Sequence, residues 1–141
     1  MLETVDFDQR RQLIERIPCR VQLPLDWEEQ FEGEGYVASY AGEFRANFRY
    51  RASRRAVVQI GGELPAFPRD GGMFGAFVQD FSRRGMGLLY HEQLFPEERV
   101  RVLLPSVSVD GTVVRCRRRG PDCYELGLVL DVECRLREML A

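Results

Sequence analysis

The chain of 141 residues contains no lysine: its 20 basic residues are all arginine. It has one histidine, His91, and one tryptophan, and its four cysteines, Cys19, Cys116, Cys123 and Cys134, form no C-x-x-C pair. Without lysine there is no phosphate-binding P-loop, and a lone imidazole with no recognisable Ser or Cys partner does not make a nucleophilic triad. One imidazole and scattered thiols also argue against zinc. An enzyme is therefore the least favoured class, no cofactor or metal is expected, and His91, just after an apolar run, reads as a surface or packing residue. The chain lacks apolar runs beyond strand length, and its first residues are acidic rather than basic. Neither a membrane-spanning helix nor a signal peptide is expected, which points to the cytoplasm and to reduced thiols. Cys116 and Cys123 are spaced to face each other across a hairpin, and they are the pair to check for a disulfide.

Apolar residues make up 45% of the chain and charged residues 30%, enough for one globular domain with a real core and a short appendage. The formal net charge of -2 conceals an asymmetry. Residues 1–44 hold ten acids against four arginines, whereas five arginines and no acid fall between Arg45 and Arg55.

At the N-terminus, Asp6 and Gln9 have the spacing of a capping box. Phe7, Leu13, Ile14 and Ile17 then recur at helical intervals up to Pro18, which stops the helix. Residues 19–23 alternate like a short strand, and Asp26-Trp27-Glu28-Glu29 starts a second short helix. Tyr36, Tyr40, Phe44 and Phe48 fit either one helical face or an extended linker. Residues 1–44 thus read as an accessory region, a cap or a docking surface, and residues 45–141 as the main domain preceded by an arginine-rich arm.

Beyond Arg55 the texture is β-like, with apolar runs at 56–60, 73–79, 86–90, 99–104, 111–117 and 123–130 separated by Gly, Pro and Asp turns. Six short strands at this spacing predict a mainly β protein, a small antiparallel barrel. Asp131 is placed to cap a final helix with Val132, Leu136, Met139 and Leu140 on its apolar side, covering one barrel opening.

Two motifs carry chemistry. Arg51-x-x-x-Arg55 leads into the first run, and Asp80-x-Ser82-x-x-Gly85 forms the turn between the second and third. A guanidinium can bond a guanine edge, stack on a base or pair with phosphate. A carboxylate accepts from guanine N1 and N2, a hydroxyl donates or accepts, and glycine permits positive φ or close approach. The plainer alternatives are that Asp80 and Ser82 cap their own turn and that the arginines are solvated. R-x-x-x-R occurs four times in so arginine-rich a chain, Arg45/Arg49 being a rival register, so its position beside the first strand is what distinguishes Arg51/Arg55.

In this order, and with the later strands Gly111-Thr112-Val113-Val114-Arg115 and Glu125-Leu126-Gly127-Leu128-Val129, the two motifs resemble the PilZ domain. The resemblance covers roughly residues 49–140. It implies a six-stranded barrel with a C-terminal helix that serves as a bacterial receptor for cyclic di-GMP, with Arg51, Arg55, Asp80, Ser82 and Gly85 as ligand residues. An arm that closes on the ligand would relay binding to a protein partner. Tyr50 stands where family members often place a further arginine, which leaves ligand stoichiometry open. The alternative is a PilZ-like interaction module that binds no nucleotide; single-stranded nucleic acid is a weaker third reading for a slightly acidic chain.

Overall fold

A computed structural model describes residues 2–23, 35–36, 50–61, 72–133 and 135. Helix α1, Leu2–Arg16, precedes seven strands: β1 Gly35–Tyr36, β2 Tyr50–Ile60, β3 Met73–Phe81, β4 Gly85–Tyr90, β5 Arg99–Leu103, β6 Ser108–Gly120 and β7 Cys123–Leu130. The strands lie in the order β1-β2-β3-β4-β7-β6-β5, and β2 also pairs with β5, which closes β2 to β7 into a six-stranded antiparallel barrel. The expected barrel is therefore present, and closure leaves its six strands without a free edge. No helix among the described residues is long and apolar enough to cross a membrane.

Alternation decides which side chains fill the barrel. Ala56 and Val58, Val100 and Val102, and Leu126, Leu128 and Leu130 point inward into one cluster with Val78, Leu88, Tyr90 and Val113. Burying each large aliphatic side chain contributes about 1.5–3 kcal/mol. Val57, between two inward residues, faces out and is fully buried against Ile14 and Ile17. Helix α1 thus covers the outer face of β2, and Arg10 fastens it by donating to the Leu104 carbonyl at 3.1 Å.

The N-terminal segment departs from expectation in two ways. The helix starts at Leu2, upstream of the Asp6 capping signature, although it ends before Pro18 as anticipated. Residues 19–23 are not a strand. They continue from α1 as a strap over the barrel: the Gly75 N–H donates to the Pro18 carbonyl at 2.8 Å, and the Gln22 N–H to that of Asp122 at 3.1 Å. A Cβ on Gly75 would lie 2.6 Å from the Cys19 Cβ, so glycine is what lets the strap approach. The Arg20 guanidinium lies over the Phe74 ring, 4.6 Å from its centroid. The second helix expected from Asp26 lies outside the described residues, as do residues 37–49, where a helical face and a linker were both open.

The C-terminal helix finds no support, since the one helix among the described residues is α1. Asp131 and Val132 form a bend, and residues 134 and 136–141 lie outside the description. The Asp131 carboxylate that was to cap the helix instead binds the Arg99 guanidinium (Oδ1 to Nη1 2.6 Å), and its N–H donates to the Asp110 carbonyl. Cys116 and Cys123 are free thiols, because the register sets Cys116 against Leu126 and Cys123 against Gly120.

His91 is a packing residue. Its ring meets Phe74 edge-on at 5.0 Å and Tyr90 at 4.5 Å, with Nδ1 buried and unbonded. Burial is the main cause that holds its pKa below 6.5, opposed by Glu92 and Asp122 and aided by Arg20. A base with a depressed folded pKa takes up its proton more readily when unfolded, so its share of stability is intact above about pH 6.5 and lost as pH falls. Thermal unfolding should show Tm declining from pH 7 to 5, and His91→Gln should flatten that decline; an unchanged slope would contradict it.

Candidate functional site

One lateral row of the sheet carries the site. Arg51 of β2 pairs with Asp80 of β3, Asp80 with Gly87 of β4, Gly87 with Gly127 of β7, and Gly127 with Arg115 of β6. Simple alternation would aim Asp80 inward with Val78, and Arg115 inward with Val113, into the apolar core. Two register shifts prevent it, between Val78 and Asp80 on β3 and between Val113 and Arg115 on β6. The one-residue bulges at Gln79 and Val114 reverse the facing of the residue that follows, and both charged side chains reach the outer face.

There they lie on a floor without side chains. A Cβ on Gly87 would meet Asp80 Oδ1 at 2.7 Å, and one on Gly127 would meet Arg115 Nε at 2.5 Å. The same face holds a cleft of about 260 Å³ lined by Asp80, Ser82, Gly85, Gly87, Arg115 and Gly127, with Val114 and Val129 at its margin. Val114 is 50% and Val129 47% exposed, so apolar surface flanks the polar groups.

The turn at one end is built by its own sequence. The Ser82 N–H donates to the Gly85 carbonyl at 2.9 Å, and the Leu130 N–H to that of Arg84 at 2.9 Å, tying the turn to β7. Gly85 does not take the left-handed φ that its place in a turn suggested. Its missing Cβ instead leaves space for the Ser82 hydroxyl, whose oxygen would stand 3.0 Å from it.

The arginines are distributed differently from the expected arm. Residues 50–55 are already part of β2, with Tyr50 opposite both Tyr36 and Phe81, because β3 extends far enough to pair with them. Arg51 therefore sits in register with Asp80. Arg55 is engaged elsewhere: its Nη2 donates to the Ile17 carbonyl at 2.7 Å, where α1 turns into the strap, and its Nε is buried without a partner. Of the five anticipated residues, Asp80, Ser82 and Gly85 line one cleft, Arg51 shares its row, and Arg55 holds the N-terminal segment.

Arg115, Gly87 and Gly127 were missed as site residues. The available signal was the pair of glycines inside the strand-like runs 86–90 and 123–130, since a strand glycine marks a bulge or a close approach. Chemically the cleft offers a carboxylate, a hydroxyl and a guanidinium on a flat floor between apolar margins. Such a set suits a planar ligand with both donor and acceptor edges.

No curated protein and no solved structure matches the chain. Residues 43–140, more than half of its length, match the sequence profile described as the PilZ domain. Together with the closed six-stranded barrel and the Asp80-x-Ser82-x-x-Gly85 turn at its cleft, this match means that the chain belongs to the PilZ domain family.

Proposed function

We propose that the chain is a cyclic di-GMP receptor that takes the dinucleotide in this cleft and relays binding to a protein partner through its N-terminal strap. PilZ domains are generally cyclic di-GMP-binding effector modules rather than enzymes. The observation that carries the reading to this chain is that Asp80, Ser82 and Gly85 stand together on a cleft in register with Arg51. Asp80 accepts from a guanine N1–N2 edge, Ser82 bonds a polar atom beside it, and Arg51 supplies a phosphate or base contact. The reading needs no cofactor. Calorimetric titration of the full chain with cyclic di-GMP should give saturable heat that is weakened at least about tenfold by Arg51→Ala, as for a lost charge-assisted bond. Absence of heat from the unaltered chain refutes the function. Loss on Arg45→Ala or Arg49→Ala with Arg51→Ala unaffected refutes the register.

The relay rests on Arg55. Its guanidinium cannot turn fully to a dinucleotide and keep the Ile17 carbonyl in the same geometry, so ligand and strap compete for it. Cys19, packed on Gly75, reports the strap. In a Cys134→Ser background, saturating cyclic di-GMP should speed Cys19 labelling by a maleimide. The other two thiols stay slow, since burial pushes the pKa of both Cys116 and Cys123 up. Gly75→Ala, which drives a Cβ into Cys19, should speed labelling without ligand and tighten dinucleotide binding several-fold. Labelling indifferent to ligand would refute the relay while leaving binding intact.

The engagement of Arg55 by the chain itself also favours, as a second reading, a PilZ barrel that serves only as an interaction module. That reading predicts no heat with the dinucleotide and a partner whose capture is lost on altering the strap.

A further inference from the structure

We infer that Arg115 is the guanine-selecting arginine of the cleft, a position outside both sequence motifs; the inference rests on the proposed cyclic di-GMP reading and names the residue that makes it specific. Three observations lead there. The Val114 bulge exists at the one place where it turns Arg115 out of the core, and it mirrors the Gln79 bulge that turns out Asp80. Gly127 keeps the floor open beneath the Arg115 side chain as Gly87 does beneath Asp80. Among the described residues Arg115 has no ion pair or hydrogen bond, whereas Arg55 is bound to Ile17 and Arg119 to Glu125.

Because Gly87 and Gly127 are paired, the Asp80 and Arg115 backbones flank two adjacent strands about 4.8 Å apart. Acceptor oxygens and a donor fork thus stand side by side over one flat patch. Guanine presents the complementary string along one side of its ring: N2 and N1 donate, then O6 and N7 accept. Asp80 takes the donors and the Arg115 fork takes O6 and N7. Adenine fails at both ends, since its N1 is an acceptor facing the carboxylate and its N6 amino group is a donor facing the guanidinium. Val114 and Val129 at the margin offer apolar contact to the base or ribose.

The test titrates the full chain, Arg115→Ala, Arg115→Lys and Arg117→Ala with cyclic di-GMP and cyclic di-AMP. Removing one bidentate guanine contact should weaken cyclic di-GMP binding about five- to a hundredfold and shrink the preference over cyclic di-AMP by a similar factor. Lysine restores the charge but not the fork, so Arg115→Lys should leave the preference reduced even if part of the affinity returns. Arg117, exposed and opposite Glu125 outside the cleft, should change affinity less than about twofold, the scale of an exposed charge. Arg115 is itself exposed, and an unchanged Tm will show that its variants fold. If Arg115→Ala keeps the affinity and preference of the unaltered chain, the assignment is overturned and the receptor reading stands. If the unaltered chain binds neither dinucleotide, both fall.

Discussion

Asp80→Ala should weaken cyclic di-GMP binding by about a hundredfold or more and leave Tm within about 2 °C. The carboxylate is the acceptor-only group of the cleft, and two charge-assisted hydrogen bonds to a guanine edge contribute about 1.5–3 kcal/mol each. Asp80→Asn keeps one acceptor oxygen and should retain part of the affinity. The plainer role, a carboxylate that only completes its own turn, predicts the opposite pattern, a lower Tm with affinity unchanged among folded molecules. Parallel titration and thermal melts therefore separate the two, and the location favours the first outcome. Asp80 lies on the outer face over Gly87 by virtue of the Gln79 bulge, and a residue needed only for the turn has no use for that reversal.

Glu98→Ala should lower Tm by about 10 °C with no direct effect on the cleft. Glu98 is 1% exposed, the one buried charged-type residue among the barrel's described core positions. Phe95, Pro96, Glu97 and Glu98 form a turn in which the Glu98 N–H donates to the Phe95 carbonyl at 3.1 Å, and Glu97 takes φ 79°. Pro at the second position and positive φ at the third are the marks of a type II turn. The Glu98 carboxylate closes it from the other side by accepting from the Phe95 N–H at 2.6 Å. The turn is stitched to β6 as well, through Glu97 N–H to the Val113 carbonyl and Val113 N–H to that of Glu98. Alanine removes the acceptor of the partly buried Phe95 N–H and leaves a void at a fully buried position, together about 2–4 kcal/mol. For a domain of this size, about 3 kcal/mol corresponds to a Tm shift near 10 °C. Calorimetric melting checks it, and a shift under about 3 °C would mean that the carboxylate is dispensable.

The barrel was legible because its information is local. Period-two apolar runs such as 99–104 and 123–130, bounded by Pro, Gly and Asp turns, need no distant partner to be recognised, and their order with the Asp80 to Gly85 turn sufficed for the family. Strand ends were less legible. Residues 50–55 read as a basic arm because nothing in Arg51-Ala52-Ser53-Arg54-Arg55 alternates, yet they are strand because β3 is there to pair with them. The same holds at the other terminus, where the Asp131 carboxylate has an appropriate side chain for capping but spends it on Arg99, a partner thirty-two positions away that no local pattern reveals.

The sequence by itself determined the closed β architecture and the polar turn, since alternation and turn chemistry are properties of neighbouring residues. Only the tertiary structure decided which charges share the cleft. Strict alternation from Val78 and Val113 buries Asp80 and Arg115, and a bulge at Gln79 or Val114 leaves no mark in the bulged strand itself, only the glycines of the strand it faces, because it depends on how many residues that strand presents. The same three-dimensional arrangement sets the Arg55 guanidinium against the Ile17 carbonyl, a contact that no local pattern reveals. Pairing across strands is a relation between distant segments, and it set which face Asp80 and Arg115 occupy.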